Sequence, residues 1–173
     1  MHRSTLATLC TAAALVLGLA APAAAQQPAQ PTMGGNDQTM LVGLGLTFVN
    51  AADDTGAGLN VNALFNALET NETGRLGIVG DFGINDVHNG AFVTLMGGPR
   101  FTFNLDGQVV PYAQFLVGFT HWFDDTDFAP AIGGGIDVAW RPRLNFRGEL
   151  QFFLNDPEAV RFFLGVSLPI NKR

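Results

Sequence analysis

Few side chains in this sequence could support hydrolysis. Such chemistry needs a serine or threonine hydroxyl within hydrogen-bond reach of a histidine, and an acid to orient that histidine. Beyond the first 25 residues, which read as an export signal, the histidines are His88 and His121 and the one serine is Ser167. His88 falls in a predicted loop, and Ser167 near the far end of the last predicted strand. Thr120, His121 and Asp124 or Asp125 are close in sequence, but neighbours on a strand point to opposite faces. No metal-ligand spacing, phosphate loop or dinucleotide fingerprint is present. The sequence therefore assigns no catalytic, cofactor-binding or metal-binding residue.

A second group of reactive types is larger. Arg75, Asp81, Arg100, Asp137, Arg141, Arg147, Glu149 and Arg161 all fall on the polar side of alternating stretches. If that side faces inward, these charges must pair with one another or hold trapped water, because isolated buried charges are very costly. Glu149 and Arg147 lie two apart on one face and are expected to reach Arg161 or Arg141 on adjacent strands.

The elements that position them start after the signal. Residues 1–25 combine Arg3, an apolar stretch from Leu6 to Leu19 and a small-residue cleavage site at Ala23-Ala24-Ala25. The apolar stretch is shorter than the ~20 residues of a membrane-spanning helix. The single cysteine, Cys10, leaves with the signal. Removing 25 residues from 173 leaves 148, enough for one domain with a core. Residues 26–39, rich in Gln, Pro and Gly, read as a flexible leader. A formal charge of −6, or −7 without Arg3, gives a nucleic-acid interface no electrostatic basis.

From 40 to 170 the chain alternates with period two. Strands are predicted near 40–50, 58–68, 75–85, 91–104, 109–122, 129–141, 144–154 and 160–170, separated by turn residues. Asp106-Gly107 is a hairpin signal. Pro99 cannot donate to a ladder, so a bulge or kink is expected there. Eight short-looped strands make an all-β, antiparallel up-and-down meander that can close and lose its edges.

One face carries bulky apolar residues almost without exception, as in Val109, Ala113, Phe115, Val117 and Phe119. A soluble barrel would turn this face inward; a transmembrane barrel would turn it to lipid. So many Phe, Leu and Ile side chains would overpack an eight-stranded bore. The polar face is crowded with glycine and has no lysine: the only Lys is Lys172. A water-facing sheet normally carries lysine, whereas a narrow lumen favours small residues. With export, these arguments predict an eight-stranded transmembrane β-barrel. Trp122, Trp140 and Tyr112 near strand ends are expected at the headgroup level.

On strand number, dyad pattern and signal, residues 40–170 resemble the small eight-stranded outer-membrane barrels of Gram-negative cells, the group of the OmpA membrane domain and OmpX. Stretches such as PYAQFLVGFTHWF and FAPAIGGGIDVAWRP are similar to theirs. The resemblance implies a monomer in the cell outer membrane, in contact with lipid and lipopolysaccharide and inserted by the barrel-assembly machinery. Members usually end in an aromatic residue; this chain ends Asn171-Lys172-Arg173, a departure that bears on insertion.

With both termini periplasmic, AADDTGA, NDVHNG, FDDTDF and NDPEA face outward, and Asp53, Asp54, Asp124, Asp125, Asp127, Asp156 and Glu158 ring that rim. Their spacing does not match a calcium loop, so a solvated acidic rim is expected. The leading functional reading is a non-enzymatic barrel with a structural or surface role and a plugged lumen. The alternatives are a lipid A-modifying enzyme around His121, a narrow passive porin-like pore, or a soluble lipocalin-like periplasmic carrier.

Overall fold

The computed structural model describes residues 38–51, 54–71, 74–87, 90–103, 107–122, 125–141, 143–155 and 159–171. The predicted export signal and most of the predicted leader lie outside the described residues. Eight strands follow in chain order: β1 Gln38–Ala51, β2 Asp54–Asn71, β3 Gly74–Val87, β4 Gly90–Phe103, β5 Val109–Trp122, β6 Asp125–Arg141, β7 Leu144–Phe153 and β8 Ala159–Asn171. Each pairs antiparallel with the next, and β8 pairs with β1, closing the barrel.

Strands run further than the turn residues suggest. β2 opens at Asp54 and β6 at Asp125, because ladder pairing continues into the acidic hairpins through Ala51↔Asp54 and Trp122↔Asp125. The Asp106-Gly107 hairpin is wider than a two-residue turn, since β4 ends at Phe103 and β5 begins at Val109.

The register sets the tilt. A lap along the register leaves β1 at Leu41, passes through paired Leu64, Val79 and Gly98, crosses to Leu116 where the β4–β5 register aligns it with Gly98, continues through paired Ala131, Phe153 and Ala159, and re-enters β1 at Ala51. This stagger is the shear that closure demands, and it tilts every strand across the barrel axis. Side chains at one height therefore come from strands far apart in the sheet order.

Pro99 produces no bulge. The β4–β5 ladder holds one register from Phe92↔Trp122 to Thr102↔Tyr112, with only Gly98 and Pro99 left out of the pairing. On its other side Pro99 stays in register opposite Ile78. A proline lacks one donor, and an open place in one ladder absorbs that loss.

Outward positions carry the large apolar side chains. Leu44, Leu46, Phe48, Ile78, Leu95, Phe119, Phe128, Ile132, Leu164 and others of this face are exposed. On β5 the apolar run from Val109 to Phe119, at about 3.3 Å per residue and a tilt of about 40°, stands roughly 25 Å tall, the height of the apolar band of outer-membrane barrels. A patch of that extent is far larger than soluble monomers tolerate in water.

Inward positions mix glycine and polar residues with a set of buried apolar side chains. At the closing seam Gly45 faces Gly165, with the ring of Phe163 lying against both. A Cβ on Gly45 would sit 2.8 Å from that ring, and one on Gly165 2.6 Å. Glycine lets the aromatic ring fill the bore here, which is why this residue type concentrates on the inner face.

Candidate functional site

Among the described residues, charged side chains converge in the lumen. Arg100 and Arg147 are each 1% exposed and Arg161 2%. Three carboxylates face them, from Asp81, Asp137 and Glu149. Charges that deep are tolerable only when each is paired and fully hydrogen-bonded.

Near the end that carries both chain termini, β6 and β7 place Asp137 directly opposite Arg147. Arg147 Nε and Nη2 donate to the two oxygens of Asp137, both at 2.8 Å, as a bidentate fork. Ser167 Oγ donates to Asp137 Oδ1 at 3.1 Å. Arg147 Nη1 donates across the bore to Asn62 Oδ1 at 2.6 Å. Asn62 donates to Asn60, and Asn60 Nδ2 to Asp81 Oδ2 at 3.0 Å. The chain ends on Arg161, which donates to Asp81, Gln151 and Thr94. Gly83 makes room for that guanidinium: a Cβ there would stand 2.5 Å from Arg161 Nη1.

A second branch centres on Glu149. It accepts from Arg100 Nη2 at 3.2 Å, from the Tyr112 hydroxyl at 2.5 Å and from Gln114 Nε2 at 2.7 Å. Gln114 Oε1 in turn accepts from Arg100 Nε and Nη2. The Arg100 guanidinium lies 4.0 Å from the centre of the Tyr112 ring, and that of Arg147 5.3 Å, so the ring joins the branches.

Six of the eight residues expected in the lumen thus interlock: Asp81, Arg100, Asp137, Arg147, Glu149 and Arg161. Their partners differ from the expected ones. Glu149 meets Arg100 on the far wall, not Arg161 or Arg141, because the tilted register brings β4, β5 and β7 to one height. Arg75 sits half-exposed at the terminal end and has no ion pair among the described residues. Arg141 corrects the expectation outright. The β6–β7 register shifts between Ala139↔Asn145 and Arg141↔Leu144, a bulge centred on Trp140. Paired residues share a face, so Arg141 joins outward Leu144 and is exposed.

Alternation also hid the other half of the plug. The loop end of the lumen is apolar: Val49, Ala51, Val87, Phe92, Ala129, Phe153 and Ala159 are buried together, with Trp122 packed against them. The Phe92 ring meets Trp122 edge-on at 6.1 Å and Phe153 at 5.7 Å. Trp122 therefore belongs to this seal and Tyr112 to the charged network. Of the three aromatics expected at the headgroup level, only Trp140 stands on the outer surface. The signal was readable, since each seal residue has inward parity beside a loop.

At the loop end Thr120 and His121 face opposite ways, as neighbours on a strand do. Thr120 points inward and accepts from Asn155 Nδ2 at 3.1 Å. His121 points outward and its Nδ1 lies 2.9 Å from Thr126 Oγ1, a partner supplied by cross-strand pairing on β6. Asp54, Asp125 and Asp127 are at this end, while Asp53, Asp124, Asp156, Glu158 and His88 lie outside the described residues. Among the described residues no three His, Cys, Asp or Glu side chains are grouped to hold a metal ion.

No protein-family model and no curated protein matches the sequence. Solved structures do match. The outer membrane protein OprG from Pseudomonas aeruginosa is similar at 10% identity, over 80% of this chain and 99% of that one, with a TM-score of 0.55. Neisserial surface protein A (NspA) is similar at 12% identity, over 79% of this chain and 100% of that one, TM-score 0.53. The outer membrane enzyme PagL is similar at 14% identity, over 76% of this chain and 99% of that one, TM-score 0.50. The closed eight-strand ladder, the outward apolar band and these likenesses together establish that the chain has the fold of the small eight-stranded outer-membrane β-barrels.

Proposed function

We propose that the protein is an integral outer-membrane barrel with a structural or surface role, exported through a cleaved signal and acting neither as a pore nor as an enzyme. One observation carries this reading: the lumen is filled by a charge-neutral network of three buried Arg and three carboxylates beneath an apolar aromatic seal. Its partners are outer-membrane lipid and lipopolysaccharide, with the assembly machinery during insertion. An ion crossing the bore would have to displace Arg100, Arg147 and Arg161 from their acceptors and then pass Phe92, Trp122 and Phe153. Both barriers are steep. Reconstituted in planar bilayers, the protein is expected to give no steady conductance steps; discrete, stable openings would overturn the sealed-lumen reading.

The second reading is a lipid-modifying enzyme, favoured by the contact between His121 and the Thr126 hydroxyl on the outer rim. It lacks the third group that such chemistry requires, because no carboxylate bonds His121 among the described residues.

A further inference from the structure

The short β6–β7 connection carries Trp140, Arg141 and Arg143, and the bulge at Trp140 gives this corner its form. Trp140 is 62% exposed and its ring meets Phe146 edge-on at 5.2 Å, at the terminal edge of the apolar band. An amphipathic ring at that level sits among lipid headgroups. The bulge turns Arg141 out of the lumen and onto the same outward face, and Arg143 is exposed on the turn just beyond. Neither guanidinium has an ion pair among the described residues.

Charge is distributed unevenly between the two ends. The stretches next to the loop end contain acidic residues and no Lys or Arg, whereas those next to the terminal end mix Arg75, Arg141, Arg143, Lys172 and Arg173 with Asp37, Glu69, Glu72 and Asp106. An anionic headgroup is therefore repelled at the loop end, while at the terminal end the β6–β7 corner offers it two exposed guanidiniums. Arginine suits a phosphate because its fork donates two parallel hydrogen bonds, and its apolar stem can lie along the band.

We propose that Trp140, Arg141 and Arg143 form a docking surface for the phosphate of an acidic glycerophospholipid in the leaflet at the terminal end. This rests on the membrane-spanning reading above. The bulge is then a device that moves one arginine from the lumen to the headgroup layer.

The test uses the full mature chain refolded into phosphatidylcholine vesicles containing a minor share of phosphatidylglycerol, followed by analysis of the lipid retained after gentle detergent extraction. The protein is expected to retain phosphatidylglycerol about fivefold over its share, in line with the attraction of a single basic residue at a membrane surface. R141Q/R143Q should abolish the preference, R141K/R143K should keep much of it, and Arg75→Gln should leave it intact. Equal retention by the native protein and R141Q/R143Q overturns the docking surface alone. Failure of the native protein to enter vesicles of any composition overturns the membrane-spanning reading, and the docking surface with it.

Discussion

Glu149→Ala is expected to lower the free energy of unfolding by about 3–5 kcal/mol, the usual cost of removing one partner of a buried ion pair. The Tyr112 hydroxyl and Gln114 Nε2 lose their acceptor, and Arg100 Nη2 keeps only Gln114 Oε1. The Arg100 charge is then left in a bore where water cannot replace the carboxylate. Urea unfolding in lipid vesicles, followed by the fluorescence of Trp122 and Trp140, measures the change. Arg100→Leu/Glu149→Leu is expected to recover much of the loss, since a charge-balanced apolar replacement leaves no buried ion behind. A midpoint unchanged in Glu149→Ala would mean that the network does not support the barrel.

Leu164→Arg is the second large effect. Leu164 is 51% exposed on the outer face of β8, about halfway up the apolar band. Arginine at the midplane of a barrel's lipid face costs about 2–4 kcal/mol, and far less near the headgroups. Folding into vesicles should therefore be weakened by that amount, while Val160→Arg, nearer the rim, should cost much less. A barrel that lived in water would respond in the opposite way, because a charge in place of an exposed leucine would improve its solubility. The sign of the effect separates the two environments.

Alternation alone made the eight strands and their two faces legible, because one side of each strand, as in Val109 to Phe119, is apolar almost without exception. It also named six of the network residues. Partners were not legible, since alternation gives the face of Glu149 but not the strand that stands opposite it at the same height. That depends on the stagger of the whole ladder. Arg141 was misplaced for a related reason: a bulge adds one residue to a strand and reverses parity beyond it, and nothing in the stretch Ala139-Trp140-Arg141 announces the insertion. The seal was missed because the inner face was read as uniformly polar, although Val49, Val87, Phe92 and Phe153 have inward parity. The divergence of Thr120 and His121 was legible as alternation, whereas Thr126 as the partner of His121 was not, because cross-strand neighbours depend on register.

The central claim is that the outward apolar face is in contact with lipid while the lumen is closed. Cell fractionation combined with gel mobility of unheated and boiled samples tests it most directly. The protein is expected in the outer-membrane fraction and to migrate differently before and after boiling, as a barrel that resists unfolding in detergent does. Recovery in the soluble periplasmic fraction, with one mobility in both samples, would contradict it.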